Sequence, residues 1–446
     1  MKIIITGAGA VGFHLAKMMA SEHQDIYLID KNQDRLNEIQ SNLDIFTIKG
    51  DAKSISILRE AKIESCDLLI AVTSSEETNL LVSILGKRYG AKRTIARINN
   101  LELKIPENAA IMESLGIDEL IAPVQLASEE IRRLIKRSVF TDDHEFEGGK
   151  LTVFGISIHQ KSKLVDLSIQ DSAYLNPELA FKPIAIHRKE ETIIVNAHTV
   201  IRANDIVYFI SNPESIDQII EICGQECFEI KNIMILGGSS IGYHTAKLLE
   251  EDYNVTLVEK NRERCEELAG TLKSTLVINL DGRNVTGLES EGLGDMDAFI
   301  AVTADSESNI MSSLVATNHK VKKTIARVEN IDYIHLSQNI GIDTLINKKI
   351  IAAGNIFKYV RKGNVTAIAN LHGVDAEIIE FIVKPGSKVT KKPINRLNFP
   401  KTANIAGVIR EEVGFIPFGS FQLKEGDQAV VFSLTESIHL IEKYFQ

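Results

Sequence analysis

The chain has 446 residues, enough for about two to four domains with cores of their own. Hydrophobic residues make up 44% and charged residues 25%, a globular composition that excludes a disordered or fibrous chain. The net charge of −10 excludes the basic surface of a protein that binds nucleic acid or an anionic bilayer. The aromatic content of 6% and the absence of Trp exclude a platform on which bases could stack.

Up to about residue 140, short β-branched runs alternate with segments whose apolar residues have helical spacing. Six strands are predicted, at Ile3–Thr6, Ile26–Ile29, Ile45–Ile48, Leu68–Val72, Thr94–Ile98 and Leu120–Ile121. The intervening segments, such as Phe13–Glu22 and Asn32–Ser41, predict helices. This alternation predicts an α/β lobe with a doubly wound parallel sheet that is covered on both faces.

An amphipathic helix is predicted next, over Pro123–Ser138, with a counterpart at Lys348–Lys362. The apolar side chains that share its face are Leu126, Ile131, Leu134 and Ile135. Two alternatives follow from this stripe. The helix is a crossover packed on its own chain, or it docks another subunit.

The stretch from about residue 146 to 225 has short strands with few helical segments between them. Its predicted strands are Leu151–Phe154, Ile184–Ile186, Thr192–Val195 and Ile206–Ile210, followed by a helix after Pro213. Residues from about 365 to 446 repeat the pattern, with strands at Ile378–Val383, Ile405–Ile409 and Ala429–Phe432 and a helix from Thr435. Each stretch predicts a small α+β lobe.

The chain repeats itself at a spacing of roughly 230 residues, which indicates duplication and fusion of one two-part module. The matching segments are Gly7–Lys17 with Gly237–Lys247, Ile70–Thr73 with Ile300–Thr303, Asn79 with Asn309, and Thr94–Arg97 with Thr324–Arg327. We call the two parts of each module its N-lobe and its C-lobe. The expected boundaries are 1–122 for N-lobe 1, 123–145 for a crossover helix and linker, 146–228 for C-lobe 1, 229–347 for N-lobe 2, 348–364 for the second crossover helix and linker, and 365–446 for C-lobe 2.

A glycine turn follows the first predicted strand and opens a helix, as in dinucleotide-binding sheets. The candidate cofactor-binding residues in this turn are Gly7, Ala8, Gly9, Ala10, Val11 and Gly12. Gly7 permits the tight turn, Gly9 lets a pyrophosphate approach the backbone, and Gly12 allows close packing of helix on strand. Asp30 ends the second strand, where a carboxylate binds ribose hydroxyls and repels a 2′-phosphate, so NAD is preferred to NADP. The alternative is a turn of the same shape that binds nothing.

Further candidates stand where later strands end, at the rim where such sheets bind ligands. They are Asp51 and Ala52 after the third strand, Thr73 and Ser74 after the fourth, and Arg97 at the end of the fifth. Asp51 is placed to accept a hydrogen bond from an adenine amino group. Arg97 is placed to pair with a phosphate, and the alternative for it is an ordinary salt bridge.

The second glycine turn departs from the pattern because Ser239 stands where the second loop glycine should be, which impedes the approach of a pyrophosphate. Its candidate residues are Gly237, Gly238, Ser239, Ser240, Ile241 and Gly242, followed by Glu259, Asp281, Thr303 and Arg327. Glu259 is still acidic in the place of Asp30. Three alternatives stay open for this crevice: a weaker dinucleotide site, a mononucleotide site or an empty copy.

Nothing in either half resembles a catalytic set. The C-lobe histidines do not recur as a set, since they are His159, His187 and His198 in one half and His372 and His439 in the other. His14 and His244 are expected to be structural, and Cys223 and Cys227 lack a second ligand pair at zinc spacing, so we expect no metal site. Binding without chemistry suggests that binding energy shifts conformation, which predicts a protein that is not an enzyme.

We also expect no signal peptide, because the first predicted strand begins at the third residue. No apolar run approaches the roughly 20 residues of a membrane-spanning helix, so a membrane role must come through a partner. Too few for a disulfide framework, the cysteines indicate a reducing compartment. They are Cys66, Cys223, Cys227 and Cys265.

The glycine run with Asp30, the Gly50–Ala52 segment, Ala71–Thr73 and Ala96-Arg97 closely resembles the RCK (KTN) domain family. Two units in one chain resemble the peripheral regulatory subunits of prokaryotic Trk potassium uptake systems, and the resemblance covers essentially the whole chain. It implies a cytoplasmic homo-oligomeric ring at the inner face of the membrane, docked on an integral-membrane potassium-translocating subunit of the Trk type. It also implies that NAD(H) and ATP or ADP bind and gate ion flux.

The leading expectation is therefore a nucleotide-sensing regulatory subunit. The alternatives are an NAD-dependent oxidoreductase and a structural adaptor with vestigial sites.

Overall fold

A computed structural model provides the structure of the chain. The residues that it describes are 1–20, 24–136, 139–176, 178, 180–189, 191–225, 228–330, 342–357, 359, 365–370, 374 and 376–445. The predicted helix ends at Glu22, Ser138 and Lys362, like Cys227 and His372, lie outside these residues. None of the described helices combines the length and the apolarity needed to cross a lipid bilayer.

The N-terminal part contains a six-stranded sheet in the order β3-β2-β1-β4-β5-β6, and all its neighbouring strands are parallel. Its strands are β1 (Lys2–Thr6), β2 (Asp25–Asp30), β3 (Phe46–Lys49), β4 (Leu68–Ala71), β5 (Arg93–Arg97) and β6 (Glu119–Ile121). Every residue of β4 is buried, as expected of a strand covered on both faces. The strand order reverses beside β1, which places the ligand crevice at its carboxyl end.

Helices connect these strands, and all but the last of them bury side chains against the sheet. They are α1 (Ala10–Ala20), α2 (Gln33–Asn42), α3 (Ile55–Glu60), α4 (Glu76–Arg88) and α5 (Pro106–Ser114). Short polar side chains start two of them, since Asn32 accepts from the backbone of Asp34 at α2 and Ser75 accepts from Thr78 at α4. The amphipathic segment after β6 forms α6 (Pro123–Lys136).

C-lobe 1 is built on an antiparallel sheet in the order β10-β9-β11-β8-β7. Its elements are β7 (Asp142–Phe146), β8 (Leu151–Ser157), β9 (Phe181–Arg188), β10 (Glu191–Ile194), β11 (Ile206–Ser211) and α7 (Ile216–Ile222). The sequence pattern did not predict β7, because its first four residues are polar and carry no apolar alternation. It forms as an edge strand by pairing with β8.

The second half repeats this architecture, with a parallel sheet in the order β14-β13-β12-β15-β16-β17. The described helices and strands of N-lobe 2 are β12 (Asn232–Leu236), α8 (Ser240–Leu249), β13 (Asn254–Glu259), α9 (Arg262–Thr271), β14 (Leu276–Asn279), α10 (Val285–Ser290), β15 (Ala298–Ala301), α11 (Ser306–Asn318), β16 (Lys323–Arg327) and β17 (Thr344–Ile346). The crossover helix α12 (Lys348–Phe357) follows them.

C-lobe 2 has an antiparallel sheet in the order β18-β19-β22-β20-β21. Its elements are β18 (Val365–Asn370), β19 (Ala376–Ile382), β20 (Ala403–Arg410), β21 (Val413–Phe415), β22 (Gln428–Leu434) and α13 (Ile438–Glu442). The predicted strands did not include β18 or β21, which both lie at edges of the sheet. The predicted fold class, a duplicated doubly wound sheet with an α+β lobe after each copy, is confirmed.

The chain divides into two compact units, residues 1–129 with 347–361 and residues 130–346 with 362–446. In the first unit, α12 of the second module packs on α1 of the first, where Ala353, Ile356 and Phe357 share a core with Leu15 and Met19. The second crossover helix is thus packed on its own chain, but on the sheet of the other module.

In the second unit, the two C-lobes share one apolar core, which includes Phe146 and Tyr208 from one and Phe432 from the other. Lys182 is buried at this interface and donates to the Asn404 side chain (2.8 Å) and to the carbonyl of Ile405 (3.1 Å). Burial lowers the pKa of Lys182 to about 8.

Candidate functional site

The first glycine turn is held by contacts that only glycine permits. Gly7 has φ +104°, and a Cβ there would lie 2.9 Å from the backbone of Thr73. A Cβ at Gly12 would lie 1.9 Å from the Gly7 carbonyl oxygen and 3.6 Å from the Ile5 side chain on β1, so this position closes the turn and also lies against the strand. Apart from Gly9 and its two chain neighbours, no atom of the described residues lies within 4 Å of a Cβ built at Gly9, which leaves open space where the pyrophosphate is expected.

Asp30 fixes this turn to the end of β2. One of its oxygens accepts from the Ala8 N–H at 2.6 Å and the other from the Asn32 N–H at 2.8 Å. A carboxylate offers about four lone-pair sites, so two remain for ribose hydroxyls. The side chain of Val11 is buried and can offer a ligand only its backbone, whereas Ala10 is exposed.

Asp51 stands at the same edge, after β3, with Ala52 buried beside it. Its carboxylate pairs with Lys31 at 3.0 Å and accepts from the Lys53 N–H at 3.1 Å. The backbone hydrogen bond from Lys53, followed by the one from Lys31, lowers the pKa of Asp51. Asp51 is therefore an ionised acceptor, and its contact with an adenine amino group stays a prediction.

A buried amide, Asn79 on α4, joins the ends of β4 and β5. Its oxygen accepts from the Thr73 N–H (2.8 Å) and hydroxyl (2.7 Å), and its amide nitrogen donates to the carbonyls of Thr73 (3.2 Å) and Arg97 (2.9 Å). Ser74 is exposed and takes no part in this network. The sequence alone predicts no role for Asn79, although this residue recurs as Asn309, where the same four bonds form.

Arg97 is half-buried at the carboxyl end of β5. Within the described part of the chain, no carboxylate or other acceptor bonds its guanidinium, so the expected alternative of an ordinary salt bridge is not found there. Burial lowers the pKa of Arg97, which reflects the cost of holding a charge away from water. An unpaired, partly desolvated arginine at this rim has the chemistry to bind a phosphate.

The second crevice keeps the backbone of the first. Gly237 has φ +108°, and a Cβ at Gly242 would again lie 1.9 Å from the preceding turn carbonyl. Glu259 accepts from the N–H groups of Gly238 (2.7 Å) and Asn261 (2.8 Å), as Asp30 does in the first copy. Ile241 is buried, so only its backbone can reach a ligand.

Ser239 changes the start of the helix in this copy. Ser239 directly precedes α8, which begins at Ser240. Its hydroxyl accepts a hydrogen bond from the Gly242 N–H at 3.2 Å and donates one to the Val302 carbonyl at 2.8 Å. A phosphate at the same place would need that N–H group. Ser239 therefore caps α8 from within the chain, and its obstruction of a pyrophosphate stays a prediction.

A cavity of about 420 Å³ lies over this turn. Leu236, Val258 and Leu280 provide apolar lining, and Thr303 lines it where β15 ends. Asp281 also lines the cavity and accepts a hydrogen bond from the Arg283 side chain. This bond, together with one from the Arg283 backbone N–H, lowers the pKa of Asp281 to about 2.

Arg327 is buried, unlike its counterpart Arg97, and it is paired. Its Nε donates to Glu329 at 3.1 Å, a second nitrogen bonds the same oxygen, and a third donates to the Thr303 carbonyl at 3.2 Å. The repeated Thr-Ile-Ala-Arg segment thus ends in two different electrostatic states.

The histidines and cysteines considered above form no further site among the described residues. Burial, and then the nearby Lys17, lowers the pKa of His14, and burial also lowers that of His244. No group of three or more metal-ligating side chains occurs among the residues that the structure describes. Cys66, Cys223 and Cys265 are free and buried.

Two domain families match the chain, each of them twice. The TrkA-N domain matches residues 3–123 and 233–348, and the TrkA-C domain matches residues 153–224 and 378–446. The Trk system potassium uptake protein TrkA homolog 1 of Methanosarcina mazei is 31% identical over 455 residues, covering 100% of both chains. The Trk system potassium uptake protein TrkA of Halomonas elongata is 32% identical over 451 residues, covering 100% of this chain and 99% of that one.

Two solved structures share the fold. The GsuK channel bound to NAD aligns with a TM-score of 0.60 at 14% identity, covering 99% of this chain and 78% of that one. GsuK bound to ADP aligns with a TM-score of 0.50 at 12% identity, covering 80% of this chain and 68% of that one.

Proposed function

This chain belongs to the TrkA family, and from that premise we propose that it is a cytoplasmic, nucleotide-sensing regulatory subunit that gates potassium uptake. The observation that carries the proposal is the state of Arg97, a half-buried cation without an internal partner among the described residues, at the same edge of the sheet as the open glycine turn. A protein that keeps a desolvated charge unpaired gains stability when an anion binds there.

NAD(H) is the proposed ligand of the first crevice. Gly9 leaves room for a pyrophosphate, and Asp30 holds a carboxylate at the ribose position, where it repels a 2′-phosphate. ATP and ADP are the second class, bound through the same helix N-terminus and Arg97. The NAD-bound and ADP-bound GsuK structures support this pair of ligand classes for the fold.

The proposed partner is an integral-membrane potassium-translocating subunit of the Trk type, with this chain peripheral at the inner face of the membrane. The names of the two relatives support this partner, since each relative is named as a protein of the Trk potassium uptake system. The proposed assembly is a homo-oligomeric ring. Its support is α5, in which none of the nine residues is buried and Ile111 is 53% exposed, close in sequence to the exposed Leu115.

We further propose that the chain has no turnover of its own and uses ligand binding to shift between conformations. An oxidoreductase would need an acid or base placed against the nicotinamide. Following NADH absorbance with small carbonyl and hydroxyl substrates tests this directly. Oxidation at enzyme-like rates would overturn the proposal in favour of the oxidoreductase alternative.

The binding test compares Arg97→Ala with Arg93→Ala, which removes an arginine from the other end of the same strand. Titrations of the full chain with NADH, ATP and ADP are expected to show a loss of about tenfold or more for Arg97→Ala and none for Arg93→Ala. Asp30→Ala should weaken NADH binding, because the change removes the ribose contact together with the two hydrogen bonds that hold the glycine turn. Binding of no nucleotide by the wild-type chain would refute the sensor and favour the structural adaptor.

A further inference from the structure

The two crevices treat their strand-end arginines in opposite ways. No described residue accepts from the Arg97 guanidinium, whereas Glu329 takes two nitrogens of Arg327 on one oxygen. The Thr303 carbonyl, at the cavity wall, accepts from the third nitrogen of Arg327 at 3.2 Å. The cation in the second crevice is therefore already neutralised from within the chain.

The difference follows from the position of one carboxylate, which is not the same in the two copies. In the first copy the carboxylate stands on α4, where Glu76 accepts from the backbone N–H groups of Asn99 and, at 2.8 Å, Asn100. In the second copy Ser306 replaces Glu76 and accepts from the backbone of Glu329 at 3.0 Å. In the second copy the carboxylate thus stands not on the helix but on Glu329, two residues after Arg327, where the first copy has Asn99.

A second feature of the same crevice points the same way. Ser239 takes up the Gly242 N–H, while Gly9 leaves the corresponding space empty in the first copy. Asp305, also at the cavity, adds a negative charge where the first copy has the neutral Ser75. The apolar lining and Glu259, the features suited to a nucleoside, are retained.

We propose that Glu329 determines the ligand specificity of the second crevice by standing where a ligand phosphate would pair with Arg327. The crevice consequently prefers an adenine nucleoside or nucleoside monophosphate to NAD(H), ADP and ATP. This inference rests on the proposed function, because it takes phosphate binding at Arg97 as the behaviour of a crevice without the carboxylate. A polyphosphate entering the second crevice meets the charges of Glu329 and Asp305 instead of a free arginine.

The test exchanges the two residues in the full chain, as Asn99→Glu and Glu329→Asn. Calorimetric titration with ADP is expected to count one tight site per wild-type chain, two in Glu329→Asn, and none in Asn99→Glu. The gain and the loss should each amount to about tenfold or more in affinity, the effect of one charge-assisted pair. Adenosine binding to the second crevice should change by less than about threefold, because adenosine has no phosphate and its nucleoside contacts are untouched.

Glu329→Gln provides a second, nearly isosteric variant, and Glu307→Gln, an exposed acid in the first turn of α11, is the matched control. Melting curves confirm that each variant folds. Two ADP sites of equal affinity in the wild-type chain would overturn the inference, and so would unchanged ADP counts in both Glu329 variants. Those results leave nucleotide sensing intact, whereas absence of ADP and NADH binding from every variant would overturn the proposed function as well.

Discussion

Replacing Gly9 by Ser is expected to stabilise N-lobe 1 and to weaken its nucleotide binding at the same time. The second copy shows the conformation that the new side chain would adopt. There the Ser239 hydroxyl lies 3.2 Å from the Gly242 nitrogen and 2.8 Å from the Val302 carbonyl oxygen. A Cβ at Gly9 meets no atom within 4 Å outside Gly9 and its two chain neighbours, so the first copy has room for the Cβ of Ser.

The two effects have different magnitudes. At a helix N-cap, Ser gives a free energy of unfolding that is higher than that of Gly by a few tenths of a kcal/mol. The hydrogen bond that the hydroxyl donates brings the total gain in stability to about 1 kcal/mol. The loss in binding is larger, because the hydroxyl takes a backbone N–H from a phosphate. A hydrogen bond to a charged group contributes about 1.5–3 kcal/mol, so the Kd for NADH should rise about ten- to a hundredfold.

Scanning calorimetry of the full chain and fluorescence titration with NADH measure the two effects separately. Ser239→Gly is the reverse change and should lower the stability of N-lobe 2 by a similar amount. Gly9→Ala adds bulk without the hydroxyl and separates crowding from capture of the N–H. A Gly9→Ser chain that is stabilised but binds NADH within threefold of the wild type would refute the placement of a phosphate at this helix N-terminus.

Three further perturbations are expected to act through the structure of the lobes. Gly12→Ala should destabilise N-lobe 1 by about 1–3 kcal/mol in urea unfolding, because its Cβ would overlap the Gly7 carbonyl at 1.9 Å; equal stability would contradict the described turn. Asn79→Ala should cost about 1–3 kcal/mol and weaken NADH binding, since four hydrogen bonds that join β4 to β5 are lost. The stability of the wild type relative to Lys182→Met should rise between about pH 8 and 10.5, because the unfolded lysine keeps its proton there and the buried one loses it. A flat difference between the two unfolding curves across that range would show that Lys182 is not buried as described.

Much of the fold could be predicted from residues close together in sequence. Strands such as β1 and β4 are buried on both faces, so they appear as continuous β-branched runs, and the glycine turn after β1 marks the doubly wound topology. The spacing of the repeat then predicted the second copy without further information. The polar edge strand β7 escaped prediction because it depends on pairing with β8, not on its own apolar pattern.

Packing between distant segments was not predictable in the same way. The apolar stripe of α12 shows only that the helix needs a partner, and nothing local says that the partner is α1 of the other module. Asn79 has the same character, since its role depends on two strand ends that meet only in the folded sheet.

The sequence by itself determined the duplicated architecture and the positions of the rim residues, because strand and turn propensities act over a few neighbouring residues. Only the tertiary structure decided what those rim residues can do. Arg97 and Arg327 end the same four-residue segment, yet one is unpaired among the described residues and the other bonds Glu329. A side chain's charge state depends on what lies within a few ångströms of it, and that neighbourhood is set by the fold.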